Sequence, residues 1–193
     1  MTHATRQRDL IEVLIHDHRE VEAMCADLER SVDDPAHRRR VADAVIAELV
    51  RHSVAEEEYL YPTARRALPD GDALADHEIA EHAEAERMMK ELEGLDAAGA
   101  DFARVLSQLM SAIRHHVEEE ETDLFPRLRS SCTEEDLREL GRKVERAKKL
   151  APTRPHPNAP DEPPWNKILA PGAGLVDRVR DALTGRATSM DDI

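Results

Sequence analysis

Two His-x-x-x-Glu pairs, His52 with Glu56 and His116 with Glu120, carry the strongest chemical signal in the sequence. Residues four apart stack on one face of a helix, so each pair presents an imidazole and a carboxylate in the same direction, where they can share a cation. One such pair in an acidic helical protein is ordinarily an exposed ion pair. Here the two are related by a shift of 64 residues, and the same shift carries His18 onto His82 and Pro62 onto Pro126. Glu20, Glu22, Met24, Leu28 and Glu29 fall on identical residues at Glu84, Glu86, Met88, Leu92 and Glu93. The chain thus reads as two copies of one helical hairpin, each supplying a lone histidine and a His/Glu pair followed by an aromatic-proline step.

In the centre of a bundle, an ionised glutamate is costly to desolvate, and two of them repel. Divalent cations remove both objections. Four imidazoles and two carboxylates form a mixed nitrogen and oxygen donor set that suits iron or manganese, with zinc possible in vitro. The shift also sorts the remaining histidines. His16 falls on Ala80, His77 on Val13 and His115 on Arg51, so these three read as solvated or supporting groups. His3, His37 and His156 sit in terminal or loop contexts and carry no signal. Other metal motifs fail: no histidine has a glutamate three residues before it, and His77-Glu78 is followed by a histidine one place too late for His-Glu-x-x-His.

These side chains need long helices to hold them, and glycine and proline concentrate between stretches of helical periodicity. The first predicted helix runs from about Arg6 to Arg30, with Leu10, Leu14, Val21, Cys25 and Leu28 on one face. Asp34-Pro35 caps and opens a second that reaches Tyr61 or beyond, and the 69–72 cluster of Pro, Asp and Gly ends it. A third runs from about Ala73 to Leu95, and a fourth, capped by Asp101, runs towards Arg129. Thr133 and Asp136 make a capping box for a fifth, ending near Leu150. The fold class expected is all-α, an antiparallel up-and-down four-helix bundle joined by the fifth helix over residues 1–150. Seven of the eleven prolines lie between Pro152 and Pro171, so residues 151–193 read as a Pro-rich tail. Leu175, Val176, Val179 and Leu183 could line a short terminal helix that docks on the bundle or recruits a protein partner.

Composition sets the outer bounds. Aromatics are 3% of the 193 residues and charged residues 35%, which favours helices over sheets. A formal net charge of −14 argues against a nucleic-acid partner, which needs clustered positive surface. No apolar run is long enough to span a bilayer, so no membrane is expected. Cys25 and Cys132 lie far apart without Cys-x-x-Cys spacing, and no apolar signal segment precedes the first charged helix; a reducing cytoplasm is the expected compartment.

The stretches from His16 (HDHREVE), His52 (HSVAEEEYLYP), Glu81 (EHAEAE) and His116 (HVEEEETDLFP) together resemble the hemerythrin family in its bacterial HHE cation-binding branch, over about residues 8 to 130. The resemblance implies an antiparallel four-helix bundle around a non-haem di-iron centre that binds O2 or related small ligands. Carried over, His18, His52, His82 and His116 become iron ligands, and Glu56 and Glu120 bridges, together with an oxo or hydroxo bridge. Oxygen-carrying hemerythrins supply a fifth histidine four residues before the one on the third helix, and here that position is Glu78. Glu78 could ligate in its place, or water could. Tyr59, three residues after Glu56, is a further candidate, as a phenolate ligand or as a core tyrosine bonded to the site.

Oxygen-rich ligation favours ferric iron, which shifts the expectation from O2 transport towards turnover or sensing of O2, NO or H2O2, in the manner of a peroxidase, a catalase or an NO-detoxifying enzyme. Leu14, Val21, Met89, Ile113 and Leu124 are the expected walls of the ligand pocket. The rival reading is a non-catalytic store or sensor of iron, O2 or NO that acts through the fifth helix and tail. A metal-free interaction bundle is the third.

Overall fold

The computed structural model describes residues 7–157 and 165–193, with side chains in the last helix described from residue 173. It is all-α. Helix α1 spans Leu10–Arg30, capped by Asp9, whose carboxylate accepts from the Glu12 backbone while Glu12 returns the bond to the Asp9 N–H. The predicted start at Arg6 lies outside the described residues. Helix α2, Pro35–Ala55, opens on Asp34 and Pro35 as expected. It continues through a π-helical turn, Glu56–Leu60, into α3, Tyr61–Ala67. Helix α4 covers Gly71–Glu93. Helix α5, Ala100–Glu119, runs through a second π turn, Glu120–Leu124, into α6, Phe125–Ser131. Asp101 lies in its first turn and Gly99 takes the cap position, because the chain is already extended at Gly99.

These four arms form the antiparallel bundle. Two apolar clusters fill it, one around Val21, Leu28, Ile46, Leu92, Phe102 and Leu109, the other around Leu10, Leu14, Leu60, Tyr61, Leu124 and Leu128. Between them lies a layer of buried polar residues: His18, His52, Glu56, Glu78, His82, His116 and Glu120. Core on both sides of that layer holds the helices in place.

Helix α7, Glu134–Leu150, is capped by Thr133 and packs against α1 and α2. A Cβ on Gly141 would stand 2.6 Å from the Arg8 carbonyl and 2.8 Å from Asp9 C, so the two backbones meet where no side chain fits.

The chain beyond α7 departs from the expected tail. Ala151, Thr153, Asp177 and Asp181 are buried, and α8, Trp165–Thr184, is longer than a turn or two. Arg154 pairs with Asp181 at 2.6 Å and Glu93 at 3.2 Å, and Arg186 with Glu93 at 3.1 Å. The helix therefore docks by its polar face. Leu175, Val176, Val179 and Leu183 are 54% to 83% exposed, which corrects the expectation that this stripe packs on the bundle. Burying Asp177 and Asp181 is favourable here because Thr153, Arg154 and His156 supply donors to them.

Gly141→Ala tests the α7 docking. The added methyl meets backbone that cannot rotate away, so a loss of about 1–3 kcal/mol is expected in denaturant unfolding. An unchanged midpoint would show that α7 does not lie so close to α1.

Candidate metal centre

Local chain geometry sets the polar layer. Pro62 and Pro126 lack an N–H and crowd the carbonyl four residues before them, so the helix ahead of each widens by one residue. The Tyr61 N–H then bonds Glu56 O, and the Phe125 N–H bonds Glu120 O, each five residues back. Both π turns begin at the glutamates singled out by the repeat.

The imidazoles meet in two pairs. His18 Nε2 lies 3.2 Å from His52 Nε2, and His82 Nε2 lies 3.3 Å from His116 Nε2. Two nitrogens about 2.1 Å from one cation, at an angle near 100°, stand roughly 3.2 Å apart. The two glutamates lie between the pairs, fully buried. Glu56 Oε1 is 2.9 Å from His52 Nε2, and its Oε2 is 3.3 Å from His82 Nε2. Glu120 Oε2 is 3.4 Å from His18 Nε2 and 3.9 Å from His116 Nε2. Each carboxylate thus spans both imidazole pairs.

The outer ring nitrogens face carboxylates as well. His18 Nδ1 is 2.8 Å from Glu121, His52 Nδ1 3.4 Å from Asp17, His82 Nδ1 3.1 Å from Glu57 and His116 Nδ1 3.1 Å from Glu81. An Nδ1–H donated outward leaves the Nε2 lone pair pointing inward, which is the tautomer a cation needs. Sequence reasoning missed these four acids, although the 64-residue shift carries Asp17 onto Glu81 and Glu57 onto Glu121. Asp17 and Glu81 directly precede His18 and His82, and Glu57 and Glu121 directly follow Glu56 and Glu120; that placement held the signal.

With the lone pairs inward, the imidazoles donate nothing to the two central glutamates. Both oxygens of Glu56 and Oε2 of Glu120 are buried without a hydrogen-bond partner. Orphaned buried carboxylate oxygens opposite inward lone pairs are unfavourable unless positive charge sits among them. The donor set fits cations. Glu78 Oε2 also stands 2.8 Å from His116 Nδ1, so the residue in place of a fifth histidine does reach the layer.

Six of the seven residues singled out from the sequence converge, and Tyr59 does not. An α-helix turns about 100° per residue, which would put Tyr59 within roughly 60° of Glu56; the wider π turn rotates it off that face. Tyr59 lies half-buried at the edge of the lower apolar cluster. Tyr61 takes the inward position, its hydroxyl 3.0 Å from His82 Nε2 and donating to Glu120 Oε1 at 3.4 Å. Burial, then the charges of Glu56 and Glu120, push the Tyr61 hydroxyl well above the ordinary phenol value, so it keeps its proton. Phe125, its counterpart in the repeat, stacks on His18 with ring centroids 5.8 Å apart.

His16, His77 and His115 are exposed, as their lack of mates implied, and each lies near a surface glutamate. Val21, Met89 and Ile113 line a cavity beside the imidazoles. Leu14 and Leu124 do not: they belong to the lower core, on the closed side of the layer.

The repeat is broken on one side. Lys148 of α7 places Nζ 2.6 Å from Asp17 Oδ1 and 2.6 Å from Glu48. The fifth helix thus reaches the carboxylate behind His52, whereas Glu81 behind His116 pairs with the exposed His77 at 3.7 Å.

This chain matches the hemerythrin HHE cation binding domain over residues 9–128. The chain belongs to the hemerythrin HHE cation-binding family. It is similar to an uncharacterised hemerythrin-like protein of Schizosaccharomyces pombe, 30% identical over 173 residues that cover 89% of this chain and 85% of the relative. A DNA nickase of the cyanobacterium Nostoc is 26% identical over 137 residues, 71% of this chain but 38% of the nickase, so the likeness covers a minor part of that enzyme. Among solved structures, a hemerythrin HHE cation binding domain-containing protein from Mycobacterium kansasii superposes with a TM-score of 0.64 at 21% identity, over 74% of this chain and 86% of that one. That likeness shows the shared fold. As a hemerythrin-like cation-binding domain, this protein carries a His/Glu cluster that could bind metal.

In metal-free protein, the acids control the histidines. Burial alone would lower His52, but Glu56 and Asp17 outweigh it and hold the imidazole up at about 10. His82 and His116 are raised likewise, against their own desolvation, by the neighbouring glutamates. A histidine whose folded value exceeds its unfolded value, about 6.5, adds stability in full below that pH and loses it as pH rises through the folded value. The melting temperature of the metal-free protein should therefore fall between pH 6.5 and 10. Cations compete with the same protons, so metal affinity should rise over that window. A flat metal-free profile in calorimetry would contradict this electrostatic picture.

Proposed function

We propose that this hemerythrin-like protein is a non-haem di-iron protein that binds or turns over O2, NO or H2O2 within the bundle. In this reading His18, His52, His82 and His116 are the nitrogen ligands, Glu56 and Glu120 bridge, and an oxo or hydroxo group completes the bridge. The observation that carries it is the pair of buried carboxylates, three of their four oxygens without a hydrogen-bond donor, each reaching from one imidazole pair to the other. Such an iron pair supplies Lewis acidity and a store of electrons.

The protein's own groups do the rest. Asp17, Glu57, Glu81 and Glu121 hold the imidazoles in their tautomers and make them better donors. Tyr61 keeps a proton on its hydroxyl beside His82 and Glu120, where it can donate to an oxygen of a bound small ligand. Glu78 adds a third buried carboxylate, and three acids at one centre favour the ferric state over reversible O2 carriage. Small ligands, rather than nucleic acid, suit a chain of net charge −14. No helix among the described residues is long and apolar enough to cross a membrane, and the free, well-separated cysteines suit the cytoplasm we propose.

A second reading is favoured by the Lys148–Asp17–His52 chain of contacts. The same centre would then act as a non-catalytic sensor or store whose state reaches α7, with a protein partner reading the exposed stripe of α8.

Elemental analysis of protein from iron-replete cells is expected to give about two irons per chain, with charge-transfer bands in the near-ultraviolet and visible. His116→Ala and Glu56→Gln should each lower iron content at least twofold while the helical circular dichroism persists. Unchanged metal content in both would leave a metal-free interaction bundle. Tyr61→Phe should retain iron but slow H2O2 consumption about tenfold or more, the range of a lost proton donor. If iron-loaded protein gives ligand-dependent spectra without consumption, the sensor reading prevails.

A further inference from the structure

The cavity beside the imidazoles is far larger than the small ligands of the proposed centre. It encloses about 660 Å³, whereas a water-sized ligand needs roughly 30 Å³. Its inner end is formed by the four imidazoles, its walls mainly by Val21, Leu49, Met88, Met89 and Ile113. It opens between α4 and α5, where Glu84, Gln108, Ser111 and His115 are exposed. Small residues at Ala85 and Ala112 keep that gap wide.

Among the described residues, the cavity on the equivalent face of the other hairpin, lined by Val13, Asp17, Arg51 and Lys148, does not reach the imidazoles. The repeat carries Gln108, Ser111 and Ala112 back onto Ala44, Ala47 and Glu48. Ala44 and Ala47 are fully buried, and Glu48 is tied down by Lys148 and by Arg51 at 2.7 Å. One face of the bundle is covered by α7, and the equivalent face is left open onto the imidazoles. A cavity of this size, mostly apolar with a few polar groups at its ends, has the dimensions of an organic ligand site.

We infer that this cavity binds an uncharged organic molecule with an apolar body, its oxygen-bearing end directed at the imidazole cluster. This rests on the reading of the centre above and names the class of ligand that would enter it. The approach selects against anions: no lysine or arginine lines the cavity, and Glu81 and Glu84 stand along its mouth. Methionines 88 and 89 provide walls that adapt to differing apolar shapes.

The test uses the full chain and two probes of equal length, 1-octanol and octanoate, followed by titration calorimetry on metal-free and iron-loaded protein. Octanol is expected to bind saturably at one site, with octanoate at least tenfold weaker. Ala112→Phe on the wall should weaken octanol at least tenfold, and Ser111→Trp at the exposed mouth, where a fold defect is not expected, should weaken it several-fold. Iron content and melting temperature, measured on the same samples, should stay near wild type. Absent octanol binding, octanoate binding as tight as octanol, or octanol binding unaffected by both variants would each overturn the inference. Saturable octanol binding to a chain that takes up no iron would support the cavity while removing the di-iron reading, so the two failures are distinct.

Discussion

Two carboxylates buried at the middle of a helical bundle, with three of their four oxygens lacking a hydrogen-bond donor, set the terms for everything around them. Glu56 and Glu120 would each rather be in water, and each would rather be far from the other. The fold answers with four imidazoles whose outer nitrogens are engaged by acids, so that the whole layer is arranged to receive positive charge. Protons can supply it, and metal cations can supply it with more charge in less space. The apolar clusters on either side lock the helices against moving apart.

Duplication explains the shape of this layer, and the departures from duplication explain its uses. Ligand-bearing positions and the acids behind them follow the repeat closely. What surrounds them does not. Helix α7 covers the α1 and α2 face and brings Lys148 to Asp17, while the α4 and α5 face stays open as a cavity. Tyr61 carries a hydroxyl where Phe125 has none. The two halves of the centre are therefore chemically unequal, one backed by a lysine and the other bordered by a phenol.

Much of this was legible in advance. The spacing of His52 with Glu56 and of His116 with Glu120, and the recurrence of both with His18 and His82, marked six side chains that the bundle brings together. Asp34-Pro35 and Thr133 marked helix starts because their side chains satisfy backbone N–H groups locally. Tyr59 was misplaced for an equally local reason. A count at 3.6 residues per turn takes no account of the widening that Pro62 forces, and that widening exchanges Tyr59 for Tyr61. Leu175, Val176, Val179 and Leu183 were read as a docking stripe, but Asp177 and Asp181 found buried partners and turned the stripe outward.

Whatever depends on neighbours within a helical turn, or on the likeness of one hairpin to the next, was determined by the sequence itself: the helices, their caps and the paired ligands. Tertiary structure alone decided which faces of the bundle are covered, that a lysine of the fifth helix reaches the residue behind His52, and that the open side holds a cavity of about 660 Å³. The reason is physical. Local periodicity records which way a side chain points along its own helix, but covering a face requires a partner from a distant part of the chain, and only the assembled packing shows whether one arrives.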